Sequence, residues 1–132
     1  VGGEGGYIYI ENSELNSIRH NGLQINGNFC GNVTISGSST ITGNNIGINI
    51  GNASCSTTLT IQSTLAGTPA ITGNNNSAIN ITNSNAIFNF YAGNLYGIKE
   101  LVNSGTTNTF EKNLKSESIN INGIDYIHQY LE

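Results

Sequence analysis

Residues 32–50 read NVTISGSSTITGNNIGINI, and three short patterns follow one another within this stretch. They are VTI at residues 33–35, ITGN at 41–44 and INI at 48–50. Alternation of apolar and polar residues with a period of two is typical of a β-strand that buries one face. The Gly, Ser and Asn residues between the patterns are those that tight turns favour. We therefore expect three short strands, each followed by a turn.

The same three patterns recur in the same order along the chain. The first occurs at residues 8–10, 33–35, 59–61 and 88–90, the second at 18–21, 41–44 and 71–74, and the third at 23–25, 48–50 and 79–81. A set of hairpins would not explain this cycling, whereas a solenoid would, because each coil places like residues above like. The sequence therefore predicts an all-β fold, a right-handed single-stranded parallel β-helix with three short strands per coil and about four coils.

The composition agrees with this fold and excludes some partners. Charged residues make up 9% of the chain, against roughly 25% in an average globular domain. The chain has 23 Asn, 17 Gly and 19 Ile, which suit turns and pleated strands. The 4 Lys and Arg residues and the net charge of -4 do not suit a phosphate backbone, so nucleic acid is not an expected partner. No apolar run approaches the roughly 20 residues of a membrane span.

The repeats divide the chain in two. Residues 1–98 are predicted to form the coils, and residues 99–132 an irregular segment with a C-terminal β-hairpin. The hairpin is predicted because Asn122-Gly123, between two alternating runs, is the strongest short turn signal. We expect this hairpin to cover the open edge of the last coil. The chain starts at Val1 without an initiator Met, which we interpret as a cut end with further coils upstream.

Residues 32–44, repeated in part at 58–61 and 70–74, resemble the β-helical repeats of bacterial surface proteins of the Gram-positive type. These are often described as carbohydrate-binding-domain-containing proteins and are similar in shape to pectate lyases. Residues 1–10 resemble the Gly-rich turn and strand that follow an earlier coil in that family. The resemblance covers residues 1–98 and implies an extracellular or cell-surface location. The acidic calcium ligands and the basic catalytic residue of the lyases have no counterpart here, so none is assigned.

Two columns of outward side chains are the predicted binding surfaces. They contain uncharged donors and acceptors at a fixed repeat, which would suit the hydroxyl groups of a neutral glycan, and tyrosines would stack on sugar rings. The alternative is that both columns are simply the polar wall of a β-helix. The first column is Tyr9, Thr34, Thr60 and Asn89, and the second is Gln24, Asn49 and Asn80.

Two further groups of side chains are predicted to be structural. Cys30 and Cys55 precede equivalent strands, so they should lie about 4.8 Å apart on adjacent rungs, within the reach of a disulfide. A disulfide and stacked free thiols both remain open at this point. Asparagines recur at one corner of three coils, where stacked amides would form a ladder. These are Asn21, Asn44 and Asn74.

The remaining reactive residues do not assemble into a catalytic site. His20 is predicted at an exposed corner, and His128 has no serine or cysteine partner in view, so no nucleophile, base and acid come together. We expect no enzyme activity, no cofactor and no metal.

The predicted function is therefore a non-catalytic extracellular module that binds a polysaccharide or cell-surface glycan, or acts in adhesion. The alternative is a structural stalk or fibre subunit, a homo-oligomer or filament that assembles end to end through open strand edges. A fragment of a phage tailspike or of a polysaccharide lyase is a third hypothesis.

Overall fold

Short strands separated by turns account for most of the chain, as the alternating patterns predict. The computed structural model describes residues 4–26 and 29–132. Fifteen strands lie in these residues: β1 (Glu4–Glu11), β2 (Glu14–Ser17), β3 (Leu23–Ile25), β4 (Cys30–Ser36), β5 (Thr40–Gly43), β6 (Ile48–Ile50), β7 (Thr58–Gln62), β8 (Ala70–Ser77), β9 (Ile79–Ile81), β10 (Ile87–Phe90), β11 (Asn94–Lys99), β12 (Val102–Asn103), β13 (Thr106–Asn108), β14 (Leu114–Ile121) and β15 (Ile124–Leu131).

Every third strand belongs to the same sheet until β13. Sheet A has the order β1-β4-β7-β10-β13, and sheet C has the order β3-β6-β9-β12. Sheet B runs β2-β5-β8-β11 and continues with β15 and β14. The coil strands pair in parallel, whereas β11–β15 and β14–β15 are antiparallel. The protein is therefore a parallel β-solenoid of about four turns with three strands per coil, which confirms the predicted fold class.

Columns of apolar side chains fill the interior of the solenoid. Val33 pairs with Ile8 in the preceding coil and with Leu59 in the next. Neither Val33 nor Leu59 has any solvent-exposed surface. Burying one such side chain stabilises the fold by about 1.5–3 kcal/mol, and a three-residue strand achieves this burial only when a neighbouring coil stacks on it. The other inward columns are Ile10, Ile35, Ile61 and Phe90, then Leu15, Ile41, Ile71 and Leu95, then Leu23, Ile48 and Ile79, and then Ile25, Ile50 and Ile81.

The register of sheet B corrects one sequence alignment. The second pattern placed Ile18 in line with Ile41, but the structure pairs Leu15 with Ile41 and leaves Ile18 79% exposed. The corner after β2 spans residues 18–22, and the corner after β5 spans only 44–47. Corner length varies because corner residues do not belong to a buried column. The alignment by sequence pattern therefore placed Ile18, three residues too late, at the position that Leu15 occupies in the core.

The solenoid continues past residue 98, where the sequence placed a boundary. β12 extends sheet C and β13 extends sheet A, so this boundary lies within the fourth coil. Their residues are mostly polar, because the last rung has no further coil to bury them, and this is why the pattern fades there. Among the described residues, there is no helix with the length and hydrophobicity of a transmembrane span.

The C-terminal hairpin forms as predicted and extends sheet B by two antiparallel strands. Asn122 and Gly123 have φ values of 52° and 86°, the conformation of a type I′ turn. β15 then lies against β11, which places Gln129 above the inward-facing Leu95. The buried Gln129 side chain accepts a hydrogen bond from the Leu101 amide at 2.7 Å. The hydrogen-bonded side chain of Gln129 therefore covers the end of the apolar column that ends at Leu95.

Candidate functional site

Two parallel columns of outward side chains run along sheet A over five rungs, and we call them the sheet A face. Adjacent members are paired in register, so each stands one strand spacing, about 4.8 Å, from the next. None of the side chains in these two columns carries a charge, and the exposed Glu11 lies beside them, two residues after Tyr9 on the same side of β1. The first column is Tyr7, Asn32, Thr58, Ile87 and Thr106, and the second is Tyr9, Thr34, Thr60, Asn89 and Asn108.

Hydrogen bonds link the last three side chains of the second column. The Asn108 amide donates to Oδ1 of Asn89 at 3.0 Å, and the Asn89 amide donates to the Thr60 hydroxyl at 3.5 Å. An asparagine side chain has two N–H donors and two acceptor lone pairs. Asn89 therefore keeps one donor and one acceptor for a ligand. The predicted residues of this column do lie together, and Asn108 extends the column by one rung.

Two tyrosines stand side by side at the first coil of the sheet A face. Tyr7 is 83% exposed and Tyr9 is 61% exposed. Tyr9 is tethered by the Ser36 hydroxyl, which donates to the Tyr9 oxygen at 3.4 Å. Within the described part of the chain, neither ring stacks on another aromatic ring. Their faces are thus open to a ligand.

The second predicted column lies on sheet C, also in register. The Asn80 amide donates to Asn49 at 2.8 Å, and the Asn49 amide donates to Gln24 at 3.0 Å. Gln24 also accepts from the Asn21 amide at 2.7 Å. Val102 follows Asn80 in the next coil, so the polar column ends there. This column is only one residue wide because the strands of sheet C have three residues or fewer.

An amide ladder is present, but it runs through Gln24, Asn49 and Asn80 on sheet C and not through the three corner asparagines predicted to form it. Asn44 and Asn74 do follow paired glycines, but Asn21 lies four residues beyond Ser17, the partner of Gly43. Asn21 accepts a hydrogen bond from the Ile46 amide at 3.1 Å, and Asn74 accepts one from the Tyr126 hydroxyl at 2.6 Å. At this corner Asn75, and not Asn74, donates to Oδ1 of Asn44 at 3.4 Å, because the corners differ in length and do not keep the strand register.

Cys30 and Cys55 form a disulfide bond between adjacent coils, with their Cα atoms 5.5 Å apart. Neighbouring polar side chains tie the same corner. The Thr57 hydroxyl donates to the Phe29 carbonyl at 2.6 Å, and the Asn83 amide donates to the Cys55 carbonyl at 2.9 Å. The disulfide therefore links coils that are also joined by hydrogen bonds across the rungs.

An aromatic cluster on the outer face of sheet B was missed by the sequence reasoning. The His128 ring stacks on Tyr96, with centroids 4.7 Å apart, and on Tyr130, with centroids 4.8 Å apart. Tyr126 meets Tyr96 edge to face at 6.4 Å. The alternation of Tyr126, His128 and Tyr130 does place three rings on one face of β15. Their partner Tyr96 follows only from the antiparallel register of β15 on β11.

Both ring nitrogens of His128 are engaged in this cluster. Nδ1 lies 2.7 Å from Glu117 Oε1, and Nε2 lies 2.8 Å from Asn94 Oδ1. Burial, together with the Glu117 and Glu132 carboxylates, raises the pKa of the Tyr130 phenol above its ordinary value of 10.0. Because the rings face one another and both nitrogens have partners, the cluster attaches the hairpin to the solenoid. It offers little free surface to a sugar.

The described surface has no enclosed pocket, so a ligand would lie on an open face. Compared with known proteins, the chain matches no family model, no curated protein and no solved structure.

Proposed function

We propose that this protein is a non-catalytic extracellular module that binds a neutral polysaccharide along the sheet A face. One observation carries the proposal: Tyr9, Thr34, Thr60 and Asn89 stand in register, without charge. The exposed Tyr7 ring lies beside the first of them. A polymer with regularly spaced hydroxyl groups would contact several rungs at once.

The chemistry of the face suits a sugar chain. The apolar C–H side of a pyranose ring packs on tyrosine, and its hydroxyl groups exchange hydrogen bonds with amides and hydroxyls. A single exposed hydrogen bond contributes only about 0.5–1.5 kcal/mol. Repetition along the polymer raises the effective affinity because each further contact is intramolecular. We thus expect weak binding to short oligosaccharides and much tighter binding to long chains.

Two observations support the non-catalytic and extracellular parts of the proposal. Neither column of the sheet A face contains a histidine or a carboxylate, and glycoside hydrolysis needs a pair of carboxyl groups across the bond. The Cys30–Cys55 disulfide is typical of proteins that fold in an oxidising compartment. Both agree with the resemblance of residues 32–44 to bacterial surface β-helix proteins.

A sedimentation assay with insoluble polysaccharides tests this function. The wild-type chain is mixed with cellulose, chitin, a neutral β-glucan and an acidic polyuronate, and the bound fraction is measured. We expect retention by a neutral polymer and about tenfold weaker retention of the Tyr7→Ala/Tyr9→Ala variant, since each aromatic contact contributes about 0.5–1.5 kcal/mol. Leu65→Ala is the matched control, because Leu65 is fully exposed outside the sheet A face.

Failure of the wild type to bind any neutral polymer would overturn the proposal. Equal retention of the wild type and the tyrosine variant would also overturn it, because the site would then lie elsewhere.

A stalk or fibre subunit is the second candidate. It is favoured by the terminal position of β12, β13 and β14 in their sheets, where no described strand covers the outer edge. Electron microscopy of concentrated protein tests it: filaments with the diameter of one solenoid would support it, and single particles at every concentration would rule it out.

A further inference from the structure

The hairpin that extends sheet B has an open edge along β14. β14 pairs with β15 on one side, and no described strand pairs with its other side. The strand is eight residues long, and every residue except Ile119 is exposed. It extends beyond the last coil as a two-sided, solvated edge. Such an edge is a template for pairing with another strand.

The backbone groups on this edge are identified by the hairpin register. Asn113 and Glu132 exchange two backbone hydrogen bonds of 3.1 and 3.0 Å, so they form a hydrogen-bonded pair. Such pairs alternate along an antiparallel ladder. The odd-numbered residues of β14 therefore bond to β15. The N–H and C=O groups of the even-numbered residues point to the open side: Leu114, Ser116, Ser118 and Asn120.

We propose that β14 pairs with β14 of a second copy of this chain, antiparallel and centred on Ser116. In this register Ser116 faces Ser116, and Leu114 faces Ser118, in hydrogen-bonded pairs formed by the open backbone groups. Lys115 faces Glu117 in the non-hydrogen-bonded pairs between them, where side chains lie closer together. Because the dimer is two-fold symmetric, Lys115 of each copy forms this ion pair with Glu117 of the other, so the interface contains two such pairs.

Charge selects this register over its neighbours. Glu117 uses Oε1 for His128, and no described residue forms a hydrogen bond or ion pair with its second oxygen, while Lys115 has no described ion-pair partner. Centring on Glu117 would oppose two carboxylates directly, which is destabilising. Centring on Ser118 would place Lys115 opposite Ile121 and Glu117 opposite Ile119, which leaves both charges facing an apolar side chain. Of these three registers, only the one centred on Ser116 places opposite charges opposite each other.

The product is a closed, isologous dimer in which two six-stranded sheets become one continuous sheet. The interface is small, about five residues from each copy, so the association is weak and reversible. The inference is independent of glycan binding, since the sheet A face is not part of this interface.

Cysteine cross-linking of the full chain tests the register. Residues facing themselves in a hydrogen-bonded pair have Cα atoms about 5.5 Å apart, within disulfide reach. Ser116→Cys should therefore form a covalent dimer on mild oxidation. Ser118→Cys is the matched control, because in this register it faces Leu114. A covalent dimer of the Ser118→Cys variant alone, or of neither variant, would refute the proposal.

Sedimentation velocity over a wide range of protein concentration tests the contacts. We expect a monomer–dimer equilibrium that weakens with added salt, and at least tenfold weaker association for Lys115→Glu and Ser116→Pro. Proline at 116 removes an N–H that points away from β15, so the hairpin ladder stays intact. Circular dichroism checks the fold of each variant, and Lys99→Glu controls for the change of charge. A wild-type monomer at every concentration, filaments, or unchanged association of Lys115→Glu would overturn the proposal.

Discussion

The Asn80 side-chain amide donates a hydrogen bond to Oδ1 of Asn49 at 2.8 Å, although 31 residues separate them in sequence. Asn49 in turn donates to Gln24, which precedes it by 25 residues. The coils thus differ in length, yet these three side chains stand on successive rungs. Extra residues are accommodated in the corners, because a shift within a strand would turn its apolar side chains away from the core.

Asn49→Ala should destabilise the protein by about 1–2 kcal/mol, because it removes two amide hydrogen bonds. Asn80→Ala should cost about half as much, since Asn80 makes one bond in this ladder. Urea unfolding measures both. The control is Asn52→Ala at an exposed corner, where no described residue forms a hydrogen bond with the side chain and the expected change is below about 0.5 kcal/mol. Equal effects at Asn49 and Asn52 would contradict the ladder.

Reduction of the Cys30–Cys55 disulfide should destabilise the protein by about 3 kcal/mol, as expected for a closed loop of this size. The bridge spans 25 residues and joins adjacent coils. Urea unfolding with and without dithiothreitol measures the effect, and a Cys30→Ala/Cys55→Ala variant should not respond to the reductant. Two reactive thiols in the untreated native protein would contradict the prediction.

Gly73→Ala should destabilise the protein by about 1–3 kcal/mol, the usual cost of overpacking. A Cβ at Gly73 would collide with the carbonyl oxygen of Ser77, where the chain turns from sheet B to sheet C. The control is Thr72→Ala, one residue earlier and facing outward, with an expected cost below about 1 kcal/mol. Thermal unfolding compares the two variants, and a larger effect at Thr72 would show that this turn tolerates a side chain.

His128→Ala should loosen the hairpin and cost about 2 kcal/mol, because His128 stacks on two tyrosines and contacts Glu117 and Asn94. Hydrogen exchange should accelerate in residues 114–131 and stay unchanged in β4 and β7. His20→Ala is the matched control, since His20 is exposed at a corner. His128→Phe keeps the stacking and loses the hydrogen bonds, so an intermediate effect is expected. Unchanged exchange in His128→Ala would mean that the stack does not hold the hairpin.

The strand patterns predicted the solenoid because buried apolar residues recur at equivalent positions in each coil. Ile35 and Ile61 are both fully buried and directly paired, as their equivalent positions in the pattern require. The same logic placed Tyr9, Thr34 and Thr60 in one outward column. It failed at Ile18, because the corner sequence at residues 18–21 resembles the strand sequence at residues 41–44, while Leu15 is the residue that pairs with Ile41.

The sequence by itself determined the coil, through apolar residues at every second position, Asn and Gly at the turns, and the Asn122-Gly123 hairpin. These are local signals, and each follows from what one strand must bury or what one turn must adopt. The tertiary structure decided which corner residues meet, where the amide ladder runs and where the hairpin packs. The stack of His128 on Tyr96 shows the reason: it depends on how β15 lies on β11, a long-range register that no local pattern in the sequence reveals.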